Sequence, residues 1–312
     1  MEFLWIIPAL VAAAVAVVLL GSYICFRMAF YVPEKYKTPK EEYEIPQGPL
    51  YEPYRDQIVG WIKQTRALPG EDMTITSFDG LQLRGRYYEY APGAVIEIMF
   101  HGYRGSSERD MSGGVQRCFK LGHSALIVDQ RASGKSQGNV ISFGVNESRD
   151  CLAWMNHAIE RFGPDCRLML TGISMGAATV MTAAGEELPE NVIGVLADCG
   201  YSSPKAIIKS VIRQMKLPAD LLYPFVKLGA KLYGHFDLEQ RSPVESMKKC
   251  KVPVLFFHGE DDDFVPCYMS HENFAACTGR KKLVTVPGAG HGLCIIFDPE
   301  GYRAAMKEFF GA

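Results

Sequence analysis

The chain reads as an α/β protein built on a mostly parallel, eight-stranded sheet with helices on both faces. Three observations predict this. The stretch ITSFDGLQLRGRYYE alternates like an antiparallel hairpin, with Asp79-Gly80 at its turn. Six short apolar runs follow: AVIEIMF (94–100), SALIVD (124–129), RLMLTG (167–172), VIGVLAD (192–198), VPVLFFH (252–258) and KLVTVP (282–287). Between most of them lie segments with helical spacing, such as Cys151, Trp154, Met155, Ala158 and Ile159. Strands that alternate with helices after an opening hairpin favour parallel crossovers.

The N-terminal segment departs most from this pattern. From Phe3 to Phe26 no residue carries a charge, and as a helix this run would reach roughly 36 Å, enough for a bilayer core of about 30 Å. A cleaved signal peptide would want a positive start and a shorter apolar stretch ending in small residues. Here Glu2 is the only charged side chain before the run, and apolar sequence continues well past Ala12–Ala16. The segment 1–30 is therefore expected to be an uncleaved transmembrane anchor. Arg27, Lys35, Lys37 and Lys40 follow it, and the positive-inside bias places the main domain on the cytoplasmic side.

Residues 31–70 form a proline-rich linker and then a short helix over about 51–67. The principal domain spans 71–312. One interval breaks its rhythm, because about fifty residues separate Asp198 from Val252, more than a crossover needs. Two apolar stripes occupy it, Ile207, Ile208, Val211, Ile212 and Met215, then Leu221, Phe225, Leu228 and Leu232. A helical cap inserted at about 201–249 is expected. It holds nine Lys or Arg against four Asp or Glu between Ser203 and Lys249, and its stripes could roof an apolar pocket.

The remaining composition sets bounds. A chain of 312 residues, 48% hydrophobic, with net charge -2 and no polybasic run, gives no case for nucleic-acid binding. Nine scattered cysteines without a C-x-x-C pair suggest neither a disulfide framework nor a zinc site, and point to a reducing compartment.

Chemistry concentrates in RLMLTGISMGAATV, where Gly172-Ile-Ser174-Met-Gly176 sits between an apolar strand and a small-residue helix start. A serine on a sharp strand-to-helix turn takes strained backbone angles and needs small neighbours two residues either side. The turn exposes its hydroxyl near the positive end of a helix. A hydroxyl needs a base, itself oriented by an acid. His291, in the glycine-rich VTVPGAGHGLC after the last strand, is the base expected among seven histidines. His101 and His258 each end a strand and read as scaffolding, while His123 and His157 read as surface or packing residues. The oxyanion hole needs a second backbone donor besides the Met175 N–H, and FHGYRGSS assigns it to the Tyr103 N–H.

Four residues compete for the acid: Asp198 at a strand end, and Asp261, Asp262 and Asp263 in HGEDDDFVP. Two other patterns fall away. GKS at 134–136 lacks the earlier glycine of a phosphate loop, since position 129 is Asp, and the acidic cluster has only His258 nearby as a metal partner.

The motifs SFDGLQLRG, HGYRGS, DQRASGKSQG, GISMG, HGEDDDFVP and PGAGHG together resemble the α/β-hydrolase superfamily over roughly residues 70–312. The similarity is to the branch of monoglyceride lipases and serine aminopeptidases, and within it to membrane-anchored bacterial members with a short helical cap. Relatives read H-G-x-x-D-x-x-V-P, which implies Asp262 as the acid in a triad with Ser174 and His291. Asp261 and Asp263 would raise its pKa by repulsion unless the fold turns them away. Ala132-Ser133 departs from the Gly-His common in relatives, in a loop expected to be structural. The resemblance implies a serine hydrolase that needs no metal or other cofactor, acting on a small-molecule ester that is lipid-like in one reading. A peptidase, amidase, thioesterase or acyltransferase would use the same residues, and a non-catalytic binding protein is the remaining class.

Overall fold

The computed structural model describes residues 6–37 and 41–311; Glu2, the Phe3–Trp5 start of the apolar run and Lys40 lie outside them. Helix α1 (Ile6–Ala29) leads through an irregular segment to α2 (Arg55–Ala67), then to strands β1 (Glu71–Thr76), β2 (Gln82–Tyr88) and β3 (Ile96–Phe100). Next come α3 (Ser107–Leu121), β4 (Ser124–Val128), α4 (Glu147–Phe162), β5 (Leu168–Ile173), α5 (Met175–Ala183) and β6 (Val192–Asp198). Helices α6 (Pro204–Gln214), α7 (Ala219–Tyr233) and α8 (Pro243–Met247) precede β7 (Val254–Gly259). The chain ends with α9 (Tyr268–Ala276), β8 (Lys281–Val286), α10 (Cys294–Phe297) and α11 (Pro299–Phe310).

The strands form one sheet in the order β1-β2-β4-β3-β5-β6-β7-β8. Pairings β1–β2 and β2–β4 are antiparallel and all others parallel, as the hairpin-then-alternation pattern predicted. Side chains of the central strands are buried on both faces. Ile96, Ile98, Leu168, Leu170, Val254 and Phe256 point to a core shared with Trp154 of α4 and Val180 of α5. Their neighbours Met169, Leu255 and Phe257 point to the opposite core with Tyr302, Met306 and Phe309 of α11. This period-two split is why the strands read as continuous apolar runs.

A third core lies off the sheet. Phe26 near the end of α1, with Phe30 and Val32 just after it, joins Phe143, Tyr201, Ile207, Ile208 and Ile212, with Tyr223 and Val226 of α7. Most of α1 before Gly21 is exposed, including Ile7, Leu10, Val11 and Val15, while Ser22 is buried. Among the described residues it is one helix long and apolar enough to cross a membrane.

Helix α7 corrects one expectation. Its buried face is Ala219, Tyr223, Val226, Gly229 and Ala230, not the stripe of leucines read from the sequence. Leu221 is 65% exposed and Leu232 40% exposed. Between them Phe225 touches Gly21 of α1, and Gly229 lies so close to the Ser22 carbonyl that a Cβ there would collide with it. The Tyr233 hydroxyl donates to the Leu19 carbonyl at 3.2 Å. An α7 that is apolar around most of its circumference offers two faces, and periodicity could not say which one packs inward.

Candidate active site

Strand β5 runs into Ser174, which takes φ 56° and ψ -116° before α5 begins at Met175. A non-glycine residue in this region is strained, and the site is held by the surrounding backbone. The Ser174 N–H donates to the Asp198 carbonyl at 2.8 Å. A Cβ at Gly176 would run into the Phe100 carbonyl, and one at Gly172 into the Gly176 carbonyl. The small residues of GISMG are thus required by close backbone approach, with β3 and α5 pressed together beneath the serine.

His291 and Asp262 reach Ser174 from the loops after β8 and β7. The His291 Nε2 lies 2.9 Å from the Ser174 Oγ, and its Nδ1 lies 2.7 Å from the Asp262 Oδ2. A ring N–H on Nδ1 leaves Nε2 as the acceptor facing the hydroxyl. Asp262 Oδ1 accepts from the backbone of Phe264 at 3.0 Å and Val265 at 2.8 Å. Its Oδ2 also lies 3.3 Å from the His258 Nε2, which is 2.8 Å from the Val265 carbonyl. Burial alone would raise this carboxyl, but His258 and His291 overcome it and hold the pKa at about 2. Repulsion from the adjacent aspartates does not prevail: Asp261 and Asp263 are exposed.

The rival Asp198 is placed elsewhere. It accepts from the Tyr302 hydroxyl at 3.0 Å, and burial pushes its carboxyl up. Beside the Asp262–His291 pair sits Cys199, with a candidate ligand atom from each of the three within 4.8 Å of the others. Burial, then Asp198 and Asp262, push this thiol well up, so it stays a neutral neighbour. All nine cysteines are free.

The loop after β3 completes the arrangement. Gly102 packs against Ser174, where an added Cβ would lie 3.6 Å from the serine Cβ. Its N–H donates to the buried Asp110 Oδ2 at 3.0 Å, and His101 is locked by Gly102 and Gln130 as a scaffold. The amides of Tyr103 and Met175 make no hydrogen bond to another described group. Tyr103 also binds the N-terminal segment, its hydroxyl donating to the Ala29 carbonyl at 2.7 Å. Next to it Arg104 donates to the Met28 carbonyl at 2.8 Å.

These contacts bring α1 to the site, which the sequence did not suggest. A cavity of about 1010 Å³ opens over Ser174 and His291, lined by Arg27, Met28, Tyr31, Leu50, Tyr51 and Trp61 among others. No residue of 201–249 lines it. The roof expected of the cap is instead supplied by the end of α1 and the linker. Tyr51 is the clearest residue that sequence reasoning missed: its hydroxyl donates to the His291 carbonyl at 3.1 Å. Nothing in PQGPLYEP distinguishes such a tyrosine from a surface one, because the contact spans 240 residues.

Two lesser readings find physical reasons. Asp129 accepts from the Ser107 and Lys135 amides, at 2.9 and 2.8 Å, so DQRASGKS is a tie between loops. Within it Ala132 sits at φ 62°, the left-handed region where glycine is easier. His123 is buried, 2.8 Å from Glu97, in a network with Arg117 and Thr171.

A strained serine between a parallel strand and a helix, in this strand order, defines an α/β-hydrolase. The prolyl oligopeptidase family matches residues 141–296, half of the chain, and the chain belongs to that family. The YqkD protein of Bacillus subtilis strain 168 is 27% identical over 190 residues, covering 61% of this chain and 62% of that protein. The bifunctional esterase/perhydrolase DCH of Acinetobacter calcoaceticus is 41% identical over 69 residues, 21% of this chain and 24% of its own length. Among solved structures, the Pyrococcus furiosus esterase Pf2001 superposes with a TM-score of 0.64 at 23% identity, covering 80% of this chain and 94% of that one.

Proposed function

We propose that the protein is a serine hydrolase that cleaves carboxylic esters through an acyl-enzyme on Ser174, held at a membrane by α1. The observation that carries this reading is the continuous hydrogen-bonded path from Asp262 through His291 to the Ser174 hydroxyl at the floor of a cavity. Ser174 attacks the substrate carbonyl while His291 Nε2 takes its proton. Asp262 keeps the proton on Nδ1 and stabilises the imidazolium that forms. The Tyr103 and Met175 amides receive the tetrahedral oxyanion, aided by the start of α5. His291 then returns its proton to the leaving alkoxide. Water, activated by the same imidazole, releases the acid.

Ester cleavage is favoured over aminopeptidase action by the apolar side of the cavity. The Arg27 guanidinium lies 3.2 Å from the Tyr23 hydroxyl and that of Arg104 bonds to backbone carbonyls, so neither cation is neutralised by these partners. Glu44 and Asp263 line the same mouth, so it offers both signs of charge to a polar head. Apolar Leu50, Ile58, Trp61, Ile173 and Ile296 line the remainder, suited to an acyl chain. The test is fluorophosphonate labelling of full-length wild type and Ser174→Ala, followed by ester, thioester and aminoacyl amide panels. Labelling is expected only in the wild type, with esters turned over fastest; labelling that survives in the alanine variant overturns the nucleophile assignment.

A further inference from the structure

Helix α7 is anomalous for an element on a protein surface. One face packs into the third core, a second is covered by α1, and between them Leu221 and Leu232 remain exposed. The α6–α7 turn adds Met215 at 52% and Leu217 at 44% exposure. A helix with apolar residues around most of its circumference belongs in a core or in lipid. Here the neighbouring helix indicates which.

The stretch from Ile6 to Phe26 rises roughly 30 Å at about 1.5 Å per residue, the thickness of a hydrocarbon layer. Its first charge is Arg27. Helix α7 touches α1 at Leu19, Gly21, Ser22 and Phe26, all on the apolar side of Arg27 and within roughly 12 Å of it along the axis. If α1 crosses a bilayer, α7 is carried into the same leaflet, and its exposed leucines meet acyl chains rather than water. The exposed Arg213 of α6, Lys216 of the turn and Lys231 of α7 are cations such as interfacial helices turn to anionic headgroups, and the exposed Asp220 is paired with Lys209 at 2.5 Å.

The cavity mouth falls at a defined depth in this frame. Met28, which lines it, follows Arg27 on α1, and the Tyr31 ring lies 4.0 Å from the Arg27 guanidinium, so both sit at the level of the headgroups. We infer that α7 and the α6–α7 turn are immersed in the leaflet that α1 crosses, and that the Ser174 cavity takes an amphiphilic lipid ester directly from that leaflet. This rests on the anchored ester-hydrolase reading above. Arg27 and Arg104 line the mouth with Glu44 and Asp263, a mixed set of charges suited to a polar head.

The experiment uses the full chain in vesicles of phosphatidylcholine and phosphatidylglycerol, with Trp5→Phe as the parent. Single tryptophans are added as Val15→Trp on α1, Leu221→Trp on α7 and Phe78→Trp at the β1–β2 turn, and bromine-labelled lipid is the quencher. Quenching above the parent is expected at positions 15 and 221 and not at 78. If position 221 behaves like 78 while 15 is quenched, the immersion of α7 is overturned and the anchor stands; a second copy of the chain covering this face would give that result. If 15 is also unquenched, both readings fall.

A second arm measures turnover in Leu221→Asp/Leu232→Asp. Neither residue lines the cavity. Hydrolysis of a long-chain monoacyl phospholipid presented in vesicles should fall at least about fivefold through KM, with soluble p-nitrophenyl acetate unchanged. Equal retention of both overturns entry from the leaflet. If the parent hydrolyses neither ester, the ester reading and with it lipid-ester entry fail, while the quenching result still decides where α7 lies.

Discussion

The loops at the sheet's edge and the roof above them were built under different constraints. Around Ser174 nearly every residue has a reason that is local and stereochemical. Gly172 and Gly176 are needed for backbone approach, Ser174 for its hydroxyl at φ 56°, and Asp262 for a carboxylate that accepts two amides and an imidazole. The roof is made by Met28, Tyr31, Leu50 and Tyr51, where the demand is only for apolar cover and one hydroxyl. Stereochemical demands leave a motif in the sequence. Demands for cover leave a composition.

The sharpest way to break the comparison is at the acidic cluster. Asp262→Asn should lower kcat by about 10³–10⁴, through loss of the correct imidazole tautomer, while Asp261→Asn changes it less than about threefold. Equal losses in steady-state ester hydrolysis would mean that the register of HGEDDDFVP is misread.

A stability effect of the same carboxylate comes next. Its folded pKa of about 2 is below the unfolded value of about 3.9, so its contribution is fully present above that unfolded value and is lost as pH falls through 2. That contribution is on the order of 2 kcal/mol. Thermal melts in detergent should therefore show the gap between wild type and Asp262→Asn narrowing as pH falls from about 4 to about 2. A constant gap would place the carboxylate's titration elsewhere.

The roof gives smaller numbers. Tyr103→Phe keeps the backbone amide but removes the hydrogen bond to Ala29, and should lower kcat by roughly tenfold with little change in KM. A change in KM alone would make the tyrosine ring a binding surface and uncouple α1 from the loop after β3. Smallest is Ala132→Gly, which relieves a left-handed alanine and should stabilise the fold by about 0.5–1 kcal/mol, or raise Tm by roughly 2 °C. A lower Tm would show that the alanine methyl packs usefully in its buried site.

Much of the fold was legible because two periodicities suffice for it. Alternating Ile96, Ile98 and Phe100 against Met99 marks a strand buried on both faces, and the spacing of Cys151, Trp154, Met155 and Ala158 marks the helix that covers it. The motifs around Ser174 and His291 marked the two as partners, although 117 residues separate them. Asp262 needed the resemblance to known hydrolases, since three adjacent aspartates are indistinguishable by chemistry alone. Helix α7 was misread because its leucine stripe is as regular as its true core face.

By itself the sequence determined the sheet, the strained serine turn, the loops that bring Asp262 and His291 to Ser174, and an apolar N-terminal helix. Each follows from short-range rules of backbone geometry and side-chain period. Only the tertiary structure decided that α1 ends against Tyr103 and Arg104, that the linker rather than the inserted helices covers the serine, and that Tyr51 grips the His291 backbone. Those are contacts between surfaces remote in sequence. Their partners are chosen by shape and by the hydrogen bonds left over once the sheet has formed, and no local pattern encodes them.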